Sequence, residues 1–385
     1  MKPSLITNLS ENNQLLYFTS TSLLKNNKKI VYISDRSGNP NLFSKELDTG
    51  KEQQLTFNQD GTLKSYVYFD GVENCGFGKA SVSLNPETGE VYYIQGRKIC
   101  CVNQNGECKV LNEIPSGQVT AFTHVSADGT KLCIPTTDAR ALEYDYLLNG
   151  RPDYDIDQRI RDEKLNSYIR VYRTDTGEEI ATERIPNAWV THVQFCPTNS
   201  NLILYNHEWP SDCGVRRIWV WNGKKHLQLR TEEGIRSKND WTCHEMWQKD
   251  GRSVIYHGNY VNGRSYIGKV NIETLEIMEI PLPNDYRKYG HFTVSNCQNN
   301  LLVSDGYFRK KGEKTTNHFG GEWITIQKVD WENGTIDWIP LCKHESNWDS
   351  QDSHPHPILS HHDKAVYFTS NYQGKRAIYK IEVEC

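Results

Sequence analysis

Nowhere in the 385 residues does an apolar run approach bilayer-spanning length, which argues against a helical membrane protein. The opening stretch, MKPSLITNLSENNQ, has no apolar h-region, so the expectation is a chain without a secretory leader. Eleven cysteines include no C-x-x-C pair, and their number is odd. That disfavours a disulfide framework and points to reduced thiols in a cytoplasmic protein. Charge of one sign is also scarce. A net charge of −4, with 24% charged residues, argues against a general binder of nucleic acid or membrane surfaces. It leaves room for a small anion held by a local cluster of Arg, Lys, His or metal. No G-x-S-x-G elbow accompanies the chain, which disfavours a peptidase-type hydrolase. Long helical periodicity is nearly missing, and no low-complexity tract or Pro/Gly linker interrupts residues 1–385. One large all-β domain is the expectation.

What is abundant is period-2 alternation. A strand-like run, a polar turn and a second strand recur from Ile30, Val91, Lys131, Leu202, Ser253, Leu301 and Ala365. About seven such units, mostly at blade-like spacing, predict a seven-bladed β-propeller. The last unit ends after its third strand, while "SLIT" (4–7) resembles the "QQLT" (53–56) that ends the first. The N-terminal piece is therefore expected to supply the outermost strand of the last blade and remove an open edge. The charged and aromatic stretch at about 141–165 breaks the third unit. It reads as a solvated surface insertion, or else as a cap that gives a ligand an Arg or Tyr.

The innermost strand of each blade would line a central channel. Aligning "HVQFCPTN", "HEMWQKDG", "HFTVSNCQN" and "HPILSHHD" places His192, His244, His291 and His356 at one position. His354 lies two residues before His356 and so shares its face in an extended segment. The heptapeptide "QDSHPHP" (351–357) also holds two prolines, which suits an edge strand rather than a sheet interior. Convergent imidazoles predict a metal site. His291, His354 and His356 with the Gln351 side-chain oxygen would give three nitrogens and one oxygen. Without a thiolate, such a set suits Mn²⁺ or another octahedral divalent ion, although affinity order lets Zn²⁺ or Ni²⁺ compete. Asp352 is expected as an alternative oxygen ligand or as the carboxylate that fixes a histidine tautomer. His244 falls beside the metal, available as a base. His226, His257, His318, His344, His361 and His362 read as turn or surface residues.

The stretches 192–210, "RRIWVWN" (216–222), "CHEMWQKDG" (243–251), "GHF" (290–292), "QDSHPHP" and 365–379 resemble the oligogalacturonate lyases, cytoplasmic propeller enzymes of pectin breakdown. "YISDRSGNPNLF" fits the first blade, and the rest of the first half is similar in architecture alone. The resemblance implies Mn²⁺, the same four ligands, His244 as catalytic base, and an active-site arginine at Arg217, with Arg216 as the fallback. It also implies short, often unsaturated galacturonate oligomers as substrate. "PSDCG" (210–214) and the 141–165 insertion depart from the family pattern.

The implied chemistry accounts for the residue types. The C5 proton of a uronate lies α to a carboxylate, so its removal builds up a second negative charge. A divalent metal on that carboxylate would stabilise the enolate-like transition state. An imidazole, which titrates near neutral pH, suits general-base removal of the proton. Arg217 would hold the carboxylate or sugar oxygens. His192, His207 and Glu208 are expected either to contact sugar or to serve in structural hydrogen bonds. The products would include a 5-keto-4-deoxyuronate. The competing readings are a non-catalytic propeller scaffold and a lyase of the same type acting on another uronate.

Overall fold

The computed structural model describes residues 2–60, 63–64, 77–79, 81–143, 147–148, 151–152, 156–208, 217–230, 241–287, 290–314, 321–348 and 350–383. Its contacts separate two compact units, Met1–Phe57 with Cys243–Cys385, and Asn58–Thr242.

Four antiparallel sheets make up the first unit among the described residues. One runs Asn13–Leu15, Lys29–Ser34, Asn41–Glu46 and Glu52–Gln54, each strand beside the next. The next begins with Trp241–Trp247 at the unit boundary and continues through Ser253–Asn259, Ser265–Asn271 and Ile277–Pro281. A third comprises Phe292–Val294, Leu301–Gly306, Gly321–Asp330 and Thr335–Lys343. The fourth holds Ile358–Leu359, Ala365–Ser370 and Ala377–Glu382, and its outer strand is Ser4–Leu5 from the other end of the chain.

That last pairing is the expected closure. Ser4 lies opposite Lys380 and Leu5 opposite Tyr379. The resemblance of "SLIT" to "QQLT" extends to their bonds. Thr7 Oγ1 accepts the Ile378 N–H at 3.0 Å, and Thr56 Oγ1 accepts the Leu42 N–H at 2.9 Å. Each threonine thus ends its outer strand by capping the neighbouring one. Between the third and fourth sheets, Val303, Ile326, Leu359, Val366, Phe368 and Ile381 form one buried layer. Each such aliphatic or aromatic side chain removed from water contributes about 1.5–3 kcal/mol.

In the second unit, one sheet is built on Val91–Gln95, Lys98–Val102 and Cys108–Glu113. Another is built on Lys131–Asp138, Asn166–Arg173 and Glu179–Pro186, and a third on Val193–Cys196, Asn199–Asn206, Ile218–Trp221 and His226–Gln228. Apolar faces again meet between successive sheets, as with Ile169, Val171, Val190, Phe195 and Ile203. The insertion carries a short hairpin, Leu147–Leu148 with Arg151–Pro152, and a helix, Ile156–Asp162. Arg140, just before it, pairs with Glu143 and Glu163, and Arg159 within it pairs with Glu163. Tyr144, Tyr146 and Tyr154, which could act in a cap, lie outside the described residues.

The eight described cysteines are all free thiols. Among the described residues, no helix is long and apolar enough to cross a membrane.

Candidate metal and proton-transfer site

The first unit gathers His244, His291, His354 and His356. Each lies in or just before the end strand of its sheet, and three neighbouring sheets contribute. His291–His356 ring centroids are 4.2 Å apart, His291–His354 5.1 Å and His354–His356 5.6 Å. Ligand atoms of these three lie within 4.8 Å of one another, and all three residues are buried. The His244 ring lies 4.6 Å from that of His291. His244 has φ of 49° and His356 of 44°, in the left-handed region that L side chains rarely adopt. Such positions cost about 1–3 kcal/mol each and concentrate at functional sites.

The two prolines of "QDSHPHP" fit as expected. They precede the end strand Ile358–Leu359, which among the described residues pairs with Ala365–Ser370 alone. Their carbonyls are engaged, Pro355 with the Thr369 N–H at 3.0 Å and Pro357 with the Thr293 hydroxyl. Gln351 opens the short turn Gln351–Ser353, and its side chain lies outside the described residues.

Asp305 organises the trio. Its Oδ1 accepts the His291 backbone N–H at 2.7 Å and stands 3.1 Å from His291 Nδ1, while Oδ2 accepts the His356 N–H at 3.0 Å. Burial alone would push this carboxyl up, but the His291 side chain and backbone pull it below the ordinary value. An ionised carboxylate only accepts, so His291 carries its proton on Nδ1 and its lone pair on Nε2. Asp352, expected as a ligand or as the tautomer-fixing acid, points elsewhere, with its carboxylate 3.7 Å from Arg376. The tautomer-setting acid comes from the second strand of the preceding sheet instead.

An aromatic wall surrounds the imidazoles. Trp348 stacks on His291 at 5.5 Å and 16°, and lies 4.6 Å from His354. The Phe18 ring is 5.5 Å from His244, 5.7 Å from His291 and 5.2 Å from His356, with Tyr17 5.1 Å from His356. Such a dry lining strengthens every charge interaction within it.

His257 and His344, expected in turns or on the surface, are each 1% exposed. His257 Nε2 lies 2.8 Å from His244 Nδ1, and its Nδ1 lies 2.9 Å from the Tyr307 hydroxyl. His344 Nε2 donates to the Gly321 carbonyl at 2.8 Å, and its Nδ1 accepts the Ser346 N–H at 2.9 Å. Both rings look surface-like in sequence because each closes an apolar run. A positional signal was available: Asn206, His257 and Asp305 follow His192, His244 and His291 by 14, 13 and 14 residues. Each lies at or near the end of an apolar second strand and hydrogen-bonds the leading histidine of its own sheet.

Cys243, His244 and His257 form a second group with ligand-like spacing. There the two imidazoles bond each other, which engages His244 Nδ1 and His257 Nε2.

The second unit holds its own polar cluster. Arg217, 2% exposed, pairs with Glu208, and Thr191 donates its hydroxyl to Glu208 Oε2 at 2.7 Å. With that proton committed, Thr191 Oγ1 accepts from His192 Nδ1 at 2.8 Å and from Asn206 Nδ2 at 2.7 Å. His192 stacks on Phe122 at 4.1 Å and 13°. Burial, then the Arg217 charge, drives its pKa down to about 3 against the pull of Glu208. It is a neutral imidazole. Burial raises the Glu208 carboxyl, but the Arg217 charge and the Thr191 hydrogen bond hold it low. His207 packs on Trp219 with 4.9 Å between centroids. Arg216 and the 210–214 stretch lie outside the described residues.

A family profile described as oligogalacturonate lyase matches residues 62–384. The oligogalacturonate lyase of Dickeya dadantii (strain 3937) is 24% identical over 391 residues, covering 95% of this chain and 89% of its own. A solved "Oligogalacturonate lyase in complex with manganese" superposes with a TM-score of 0.77 at 21% identity, over 99% of this chain and 93% of that one. The oligogalacturonate lyase structure from Vibrio parahaemolyticus gives the same TM-score, identity and coverage. Likeness of that extent shows the fold to be all-β, a seven-bladed propeller. With the profile spanning most of its length, the chain belongs to the oligogalacturonate lyase family.

Proposed function

We propose that the protein is a metal-dependent lyase that cleaves short oligogalacturonates by β-elimination, releasing a 5-keto-4-deoxyuronate during pectin breakdown. The observation that carries this reading is the placement of His244 beside three buried, convergent imidazoles, with its ring 4.6 Å from His291. His291, His354 and His356 are the proposed nitrogen donors, with Gln351 as the oxygen donor. This set has no thiolate and fits Mn²⁺, the ion present in the related solved structure. A divalent ion held there supplies positive charge to the uronate carboxylate.

His244 is the proposed base. It takes the C5 proton, the C5–H electrons pass into the carboxylate system, and the C4–O bond then breaks to leave a C4–C5 double bond. The leaving oxygen takes up a proton. Phe18 and Trp348 exclude water from the region where charge builds up. We assign Arg217 to the substrate carboxylate or neighbouring sugar oxygens, in exchange for part of its bonding to Glu208, with Arg216, His192 and His207 as further sugar contacts. A cytoplasmic location is consistent with the free thiols.

Purified protein incubated with unsaturated digalacturonate, alongside elemental analysis, tests this. Expected are stoichiometric transition metal, formation of the keto-deoxyuronate, and loss of about 10²–10⁴-fold in kcat for His244→Ala. Full activity after exhaustive chelation, or in His244→Ala, would overturn the reading.

A further inference from the structure

His244 is one end of a hydrogen-bonded line that runs away from the metal-ligand trio. Its Nδ1 lies 2.8 Å from His257 Nε2; His257 Nδ1 lies 2.9 Å from the Tyr307 oxygen; and Tyr307 lies 2.9 Å from the Gly290 carbonyl. The last contact sets the polarity of all the others. A carbonyl can only accept, so the Tyr307 proton points at Gly290. The Tyr307 oxygen must then accept from His257, which places the His257 proton on Nδ1. His257 Nε2 therefore accepts, and His244 donates through Nδ1. The His244 lone pair is consequently on Nε2.

We infer that His257 and Tyr307 are positioning residues that fix the tautomer and ring orientation of His244, so that Nε2 is the basic nitrogen in proton abstraction. This rests on the assignment of His244 as the base. It extends that assignment by naming which nitrogen acts and what holds it.

Packing makes the line rigid. His257 is 1% exposed and Tyr307 0%. The His244 and His257 rings are nearly parallel, at 3° with 4.8 Å between centroids, and Phe292 meets the edge of His257 at 6.1 Å. Gly290 has a specific part here. A Cβ at that position would stand 2.3 Å from the Asp305 carbonyl oxygen and 3.0 Å from the Tyr307 ring. Only the bare backbone lets Tyr307 reach the carbonyl that orients it. The left-handed backbone of His244 turns its ring toward a strand neighbour, at a strain cost that a fixed partner offsets.

The test uses three variants and two readouts. His257→Leu removes the acceptor, Tyr307→Phe removes the anchor, and His257→Gln keeps an acceptor and a donor in about the same places. On unsaturated digalacturonate, His257→Leu should lose about 10–100-fold in kcat, as happens when the hydrogen-bond partner orienting a histidine is removed, with KM and bound metal within a factor of about three. His257→Gln should recover most of that loss, and Tyr307→Phe should fall between the two. The second readout is independent of activity. ¹⁵N NMR of histidine-labelled, Mg²⁺-exchanged protein, with His244 assigned by its loss in His244→Gln, should show protonated Nδ1 in the wild type. In His257→Leu the Nε2–H form should appear. Wild-type protein inactive on the dimer, yet with His244 in the Nδ1–H form, would refute the lyase reading and leave the positioning result standing. An Nε2–H tautomer in the wild type, or equal kcat in wild type and His257→Leu, would refute the positioning role.

Discussion

Oδ1 of Asp305 stands 3.1 Å from Nδ1 of His291, so a residue on the second strand of one sheet decides which nitrogen of that imidazole keeps its lone pair. The same carboxylate also holds the His356 backbone N–H, from the next sheet. Asp305→Asn keeps the size but offers an amide in place of a double acceptor. Metal affinity should fall by about 10–100-fold, with activity largely restored by excess metal. Titration calorimetry with Mn²⁺ checks this, and an unchanged affinity would refute the role of Asp305.

The Arg217–Glu208 pair is closed off from water, with side-chain exposures of 2% and 8%. Removing one charge there strands the other, which costs about 3–5 kcal/mol, whereas removing both is often close to neutral. Glu208→Ala should therefore lower stability by about that amount, and Glu208→Leu combined with Arg217→Met should recover most of it. Urea denaturation of the three proteins provides the comparison. Equal stability of Glu208→Ala and wild type would show that the pair is not closed in solution.

Stability should fall as the solution is acidified below about pH 6.5. Unfolded His192 takes up a proton near its ordinary value of 6.5, but the folded side chain resists until about 3. Between these values the unfolded state binds more protons, so stability rises with pH by about 1.4 kcal/mol per unit for this group. His344, also pushed down by burial, acts in the same direction. Glu208, whose carboxyl is held low, extends the loss into more acidic solution. In His192→Gln the slope between pH 6.5 and 5 should flatten by about one proton. An unaltered slope would mean that His192 is solvated in the native state.

Much of this architecture is legible in the amino-acid order. All seven repeat starts, from Ile30 to Ala365, fall at or within a few residues of a strand start, because alternation reports directly on which side of a sheet is buried. The register of His244, His291 and His356 is legible for the same reason. What escapes is pairing across strands. Asp305 and His257 each end an apolar run, and nothing within the run says that the residue points at a histidine on the neighbouring strand instead of at water. Asp352, by contrast, is close in sequence to His354, yet its turn directs it to Arg376. Proximity along the chain is a poor guide where the backbone reverses.

Ser4 bonds to Lys380 across 376 positions, and Tyr17 and Phe18 abut imidazoles numbered 244 to 356. Such distant partners make for slow folding, because loop closure must come before the contacts that reward it. Ser4 and Leu5 must therefore wait for Tyr379 and Lys380 before their sheet is complete. Until then the histidines have no shared wall, so a nascent chain would hold metal poorly. An ion held by the trio would thus report that these distant segments have come together.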